Sequence, residues 1–298
     1  MDELSITLLS NACRDDFPEN SVSNFANKVP KYNLFGAQQN PGNLQIALTE
    51  CYVPKKFKNV TSTNCWLDAT FEDGLPEALR KFAYPHDAKF NVPAGHYNQP
   101  KDLIKALNIA ISDKFGAKTR PIVFSIAPGQ GNKTKIDFKY PSYDVYLSHD
   151  ISRVLGFEPT LPIRHPEKPG IISSPYSATT HGGQTQLYAY CSVVETSVLA
   201  DQMVNLLAVL PWLPDNSGIE PSQHIVIQNL NWINIVRWDF DSIGIAVKDG
   251  SGQEVSFFGS NTIFVCRIRR KPRALNASSQ DASAASLREL LHKPTHCN

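Results

Sequence analysis

The stretch LYAYCSVVETSVLADQMVNLLAVLPW, residues 187–212, decides the fold, because it is the most apolar part of the chain and admits three structures. The first is a membrane span, which needs roughly 20 nearly uninterrupted apolar residues. Glu195, Asp201, Gln202 and Asn205 interrupt this one, and a carboxylate near the bilayer centre costs about 2.5–3.5 kcal/mol even on a lenient insertion scale. The second is a single buried helix. Residues 187–195 are instead dense in Tyr, Val and Cys, types that suit a pleated, half-buried surface. The third is a pair of strands. Leu187, Ala189, Cys191 and Val193 then line one face at period two, with Tyr188, Tyr190 and Val194 on the other. A second apolar run, Val204 to Leu210, is closed by Pro211. Two buried strands joined by SVLADQM is the reading that fits.

Outward from this pair the same texture continues. Further strands are expected at Leu4–Ser10, Gln45–Val53, Trp66–Phe71, Ile122–Ala127, Lys135–Tyr140, Asp144–Leu147, His224–Leu230, Ile243–Lys248, Glu254–Phe258 and Ile263–Arg269. GIAVKDGSGQEVSFF places Asp249, Gly250 and Gly252 between two apolar runs, a hairpin signal because those types tolerate positive φ. Many strands punctuated by 21 prolines and 16 glycines predict a mainly β chain folded as an antiparallel sandwich or barrel. Two helices interrupt it. QPKDLIKALNIAISDKFG sets Leu103, Ile104, Leu107, Ile111 and Phe115 at helical spacing, with Asn98 as N-cap and Gly116 as the stop. SHDISRVLGF is shorter, capped by Ser148.

The implied organisation is a first part of the sandwich in residues 1–85, a small α+β insertion in 86–157, and a long loop with the second part in 158–272. A flexible C-terminal tail follows in 273–298. The loop, 158–183, is rich in Pro, Ser, Gly and His, and the tail is small and polar and expected to be disordered when alone.

The chain has 298 residues, 42% hydrophobic and 19% charged, with a formal net charge of +1. No global field recruits nucleic acid or anionic membrane. The start MDELSITLLSN lacks the basic and long apolar regions of a secretory signal. Asn59, Asn132 and Asn276 are therefore read as chance glycosylation triplets. The six cysteines show no C-x-x-C spacing, and Cys51, Cys191 and Cys266 fall in strand patterns as small core residues. A reducing compartment is expected, without zinc.

Little asks for chemistry. No H-x-H or H-E-x-x-H spacing exists among eight histidines. His165, His181, His292 and His296 read as solvated loop or tail residues, and His96 as a turn or capping contact. Asp239 and Asp241 read as strand-edge charges rather than a carboxylate pair. APGQGNKTK lacks the G-x-x-x-x-G-K-[ST] pattern and reads as a hairpin turn. No catalytic residue, metal ligand or cofactor is assigned. The one charged cluster is CRIRRKPR, where Arg267, Arg269, Arg270, Lys271 and Arg273 are either a solvated edge or a basic arm toward nucleic acid or an acidic partner.

Several segments in order carry a resemblance: LLSNACRDDFPENSVSNFANKVP with LQIALTECYVP, VPAGHYNQPKDLIKALN with LSHDISRVLGF, the 187–212 stretch, and WDFDSIGIAVKDGSGQEVSFFGSNTIFVCRIRR. Together they resemble the penton (minor capsid) proteins of Polinton or Maverick elements and the related adintoviruses, over roughly residues 5–271. The tail departs from that pattern. The resemblance implies a jelly-roll virion protein, a homopentamer at the vertices of an icosahedral capsid, assembled in the host cell nucleus. It further implies partners in the major capsid protein and a host receptor. Leu287, Leu290 and Leu291 of SLRELL would then form a docking helix. Two rivals are a carbohydrate- or receptor-binding jelly roll using Tyr176, Trp212 and Trp232, and a glycosidase, which needs two carboxylates about 5–10 Å apart in a cleft.

Overall fold

The 187–212 stretch holds two paired antiparallel strands, Gln186–Cys191 and Leu206–Pro211, but the SVLADQM connection between them is itself a small hairpin of strands Ser197–Leu199 and Gln202–Val204. In chain order the elements of this computed structural model are β1 (Glu3–Leu9), β2 (Asn24–Lys28), β3 (Leu44–Pro54), β4 (Trp66–Phe71), β5 (Asp87–Asn91), α1 (Pro100–Phe115), β6 (Ile122–Ile126), β7 (Lys133–Phe138), β8 (Tyr143–Leu147) and α2 (His149–Leu155). They continue as β9 (Ile163–Arg164), β10 (Gly170–Ser177), β11 (Gln186–Cys191), β12 (Ser197–Leu199), β13 (Gln202–Val204), β14 (Leu206–Pro211), β15 (Ser222–Val226), β16 (Ile233–Asn234), β17 (Ser242–Lys248) and β18 (Ile263–Arg270). The structure describes residues 3–29, 44–71, 87–127, 129, 131–140, 143–159, 161–164, 170–181, 184–213, 221–236 and 240–272.

Eight of these strands pair in a nested order. β1 pairs with β18, β2 with β17, β3 with β15 and β11 with β14, so the first meets the last and the fourth meets the fifth. β18 also pairs with β3, and β17 with β11, which closes two sheets of order β1-β18-β3-β15 and β14-β11-β17-β2, with β16 added on β3. This is a jelly roll: one long hairpin rolled onto itself. The expected inward face is correct, since Leu187, Ala189, Cys191 and Val193 are all buried. They meet Ile46, Val53, Phe264 and Ile268 of the other sheet in one core, each full burial of such a side chain stabilising by about 1.5–3 kcal/mol. Val194 departs from the expected outward face: it is buried, because it bridges to Ile235.

Between β3 and β11 the chain builds a second unit with its own core. Sheet β5-β4-β8-β9 and sheet β10-β7-β6 enclose the apolar face of α1, namely Leu103, Ile104, Leu107, Ile111 and Phe115, together with α2. The helix cap differs by one residue from expectation: Gln99, not Asn98, is the N-cap, and its backbone N–H is held by Asp102 Oδ2 at 3.2 Å. The long loop expected at 158–183 is also corrected. It contains β9 and β10, and β10 belongs to the second unit because it pairs with β7. Its Ser- and Pro-rich sequence is tolerated because β10 is an edge strand, with a register shift between Ser173 and Ser177. Gly156 ends α2 at φ 77, and a Cβ there would sit 2.3 Å from the Tyr176 carbonyl oxygen, so β10 crosses α2 only over a glycine.

Two turns behave as read. Gly129 (φ 77), Gly131 (φ 65) and Asn132 (φ 56) join β6 to β7. Asp249 Oδ1 accepts from Ser251 N, Ser251 Oγ and Gln253 N, and organises the turn after β17. The expected return strand Glu254–Phe258 is not one. It bridges β17 only at Glu254, then changes partner, Phe257 bridging Phe57 and Phe258 N–H donating to the Lys56 carbonyl.

Candidate functional site

The two units meet in a seam built where the chain leaves β3 and where it returns to β11. Phe57 lies on the outgoing crossing and packs edge-on against Trp212 at 5.0 Å between centroids. Trp212 is fully buried and touches the edge of His181 on the returning crossing, 6.5 Å away. His96 Nδ1–H donates to the Phe57 carbonyl at 2.7 Å, a bond to a distant crossing rather than the local turn or capping contact expected. Asn59 ties the crossings together: its Nδ2 donates to the carbonyls of Thr180 (2.8 Å) and Tyr97 (2.9 Å), while its Oδ1 accepts from Tyr97 N–H. A side chain so buried and committed fits no glycan attachment.

Beside these rings lies a cavity of about 590 Å³ walled by residues 57–64, α2 and the turn after β17. Its three carboxylates are engaged by neighbouring groups. Arg153 pairs with Asp249 Oδ2 at 3.2 Å, Asp150 Oδ2 accepts from Thr61 N–H and Oγ1, and Glu254 accepts from Asn24 Nδ2. The cavity lies in the seam between the two units. His181 is corrected from a solvated loop residue: it is half-buried, and its Nδ1 is buried without a hydrogen-bond partner among the described residues, as is Trp212 Nε1. Burial lowers the pKa of its imidazole from the ordinary histidine value.

The basic run is divided by the strand it occupies. Cys266 and Ile268 point into the core, and Arg267 is exposed, 3.6 Å from Glu3. Arg269 is committed to sheet contacts, its guanidinium 3.9 Å above the Trp232 ring and bonded to Gln45 Oε1 at 3.1 and 3.2 Å. Arg270 and Lys271 are exposed at the end of β18. Arg273, Leu287, Leu290 and Leu291 lie outside the described residues, as do Asp239, His165, His292 and His296. Asp241 uses its carbonyl to accept from Val29 N–H.

The aromatic platforms expected of a sugar-binding module do not form one. Trp212 is core, Trp232 lies under Arg269, and exposed Tyr176 donates its hydroxyl to Glu158 at 2.6 Å. Among the described residues, no group of three His, Cys, Asp or Glu could hold a metal ion, and no helix is long and apolar enough to cross a membrane. Burial pushes the thiol of Cys51 up to about 12 and that of Cys191 up to about 11, and raises that of Cys266 as well, as for inert core thiols.

What sequence reading missed is the distribution of exposed apolar side chains. Within the sandwich, among the described residues, the large ones are Val198, Met203, Val209, Leu213, Val226 and Val236. All lie between 198 and 236: Val209 and Val226 stand on β14 and β15, which edge the two sheets on one side, while Val198 and Met203 stand on the hairpin between β11 and β14. Val198 and Met203 are directly opposed on the small hairpin β12–β13 and are 70% and 67% exposed. The opposite side, edged by β1 and β2, exposes Glu3, Arg14, Asp15, Asp16, Glu19 and Lys28.

These features define the class: an eight-stranded jelly roll with an α+β insertion between its third and fourth strands. No protein-family profile and no curated protein matches the sequence. Among solved structures the chain is similar to the mavirus penton protein, with a TM-score of 0.44 and 12% identity, covering 91% of this chain and 99% of that one.

Proposed function

We propose that the chain is a structural capsid protein, a jelly-roll penton subunit that closes into homopentamers at the five-fold vertices of an icosahedral particle. The observation that carries this reading is the one-sided placement of exposed apolar residues beside two unpaired edge strands. A cyclic ring needs a heterologous interface, one flank of each subunit meeting the opposite flank of the next, and obligate contacts of this sort bury about 2,000 Å² or more in total. The β14–β15 flank supplies the apolar half. On the β1–β2 flank Lys28 pairs with Asp16 and Arg267 with Glu3 within the chain, which lowers the cost of covering those four charges. Half-buried Leu4, Ile6 and Phe17 lie between those charges.

Strand direction supports an inside and an outside. The insertion leaves from Pro54 and returns at Gln186, at the same end as Pro211. Arg270 pairs with Leu44 at the other end of the sandwich. With the insertion outward, toward a host receptor, Arg270 and Lys271 lie at the inner end, where phosphate contacts need no sequence preference. The ordered resemblance to Polinton and adintovirus penton proteins supports the same reading, with the major capsid protein as neighbour and no catalytic step. Multi-angle light scattering of the full chain tests it. A five-subunit mass is expected; a monomer or trimer that binds glycans would favour a spike-type module instead.

A further inference from the structure

We propose that His181 is an acid-sensitive latch: uncharged, it lets the insertion dock on the sandwich, and protonated, it loosens that joint. This goes beyond the capsid reading and does not depend on it. The geometry carries it. His181 Nδ1 is buried with no partner among the described residues, and its ring neighbour Trp212 presents only an N–H donor, itself unpartnered. A proton added at Nδ1 would make it a donor with no acceptor among the described residues and place a positive charge in a half-buried site, a costly arrangement. The groups sharing the cavity offer no relief. The outgoing crossing contributes Lys58, α2 contributes His149, Asp150 and Arg153, and the turn after β17 contributes Lys248, Asp249 and Glu254. Each of those three carboxylates is already taken, by Thr61, Arg153 and Asn24 respectively.

The neighbouring bonds give the latch its leverage. The preceding carbonyl, Thr180, accepts the Asn59 bond that ties the returning crossing to the outgoing one, and Thr179 N–H donates to the Val154 carbonyl of α2. Moving the imidazole into water pulls on both. The sign follows from burial, which lowers the docked imidazole's pKa. An undocked histidine titrates near its ordinary value of about 6.5. The docked form is therefore favoured fully above that value and loses its advantage as pH falls below it toward the docked pKa.

The test is hydrogen–deuterium exchange of the full chain at about pH 7.5 and about pH 5, either side of the ordinary histidine value, corrected for intrinsic exchange. The expected result is a severalfold rise at the lower pH in peptides covering 55–64 and 178–181, with β3 and β11 unchanged. In His181→Phe, which keeps a flat ring but cannot charge, that rise is lost. His181→Gln, polar and also unable to charge, must behave likewise, and it carries the test if the Phe variant does not fold. No rise in the unmodified chain, or the same rise in the uncharged variants, overturns the proposal.

Discussion

The two flanks of the sandwich differ in chemistry although the same two sheets make both. At the β14–β15 edge, Val209, Leu213 and Val226 face solvent, and the hairpin β12–β13 adds Val198 and Met203. At the β1–β2 edge the exposed groups are charged, two ion pairs are internal, and apolar side chains are only half-exposed. Large aliphatic side chains left exposed beside an edge strand fit a surface that meets a partner. Edge strands left bare in such company invite pairing with another chain unless they are covered. The difference argues for assembly with a direction, one flank covering and the other covered.

Three changes would break or sharpen that contrast. The largest effect is expected at Trp212, which continues from β14 and closes the sandwich from within. Trp212→Ala should cost about 3–5 kcal/mol in denaturant unfolding; a smaller loss would mean that the apolar flank rests on other residues. Next is the flank surface itself. The double variant Val209→Asp and Val226→Asp should weaken subunit association by about thirtyfold or more, the scale of a 2 kcal/mol interface hot spot. Circular dichroism should stay unchanged because both side chains lie outside the core. Persistence of the oligomer would remove this flank from the interface. The smallest structural effect belongs to Arg270→Ala and Lys271→Ala together. Neither fold nor oligomer mass should change. Binding to nucleic acid should fall evenly across sequences, and its salt slope should flatten by about one for each phosphate no longer neutralised.

Much of the sandwich is legible in sequence because its strands are apolar at period two: Leu187, Ala189, Cys191 and Val193 are read and found inward. β2 is not, since Asn24, Asn27 and Lys28 dilute its pattern, and what makes Asn27 inward is a bond from its side-chain amide to the Leu9 carbonyl. β10 is hidden for another reason. Ser174 is the residue of that strand that is buried, so an edge strand with one inward side chain reads as loop. The nested pairing is invisible because β1 and β18 lie at opposite ends of the chain, and the seam likewise needs residues as distant as Phe57, His181 and Trp212 to converge. Spacing rules register neighbours along the chain; they carry no signal for a histidine whose surroundings arrive from elsewhere.

The most direct measurement is electron microscopy of the purified full-length chain, alone and with the major capsid protein. Five-fold rings seamed along the β14–β15 flank are the predicted result. Solitary molecules in both preparations, or two-fold dimers joined apolar flank to apolar flank, would contradict it.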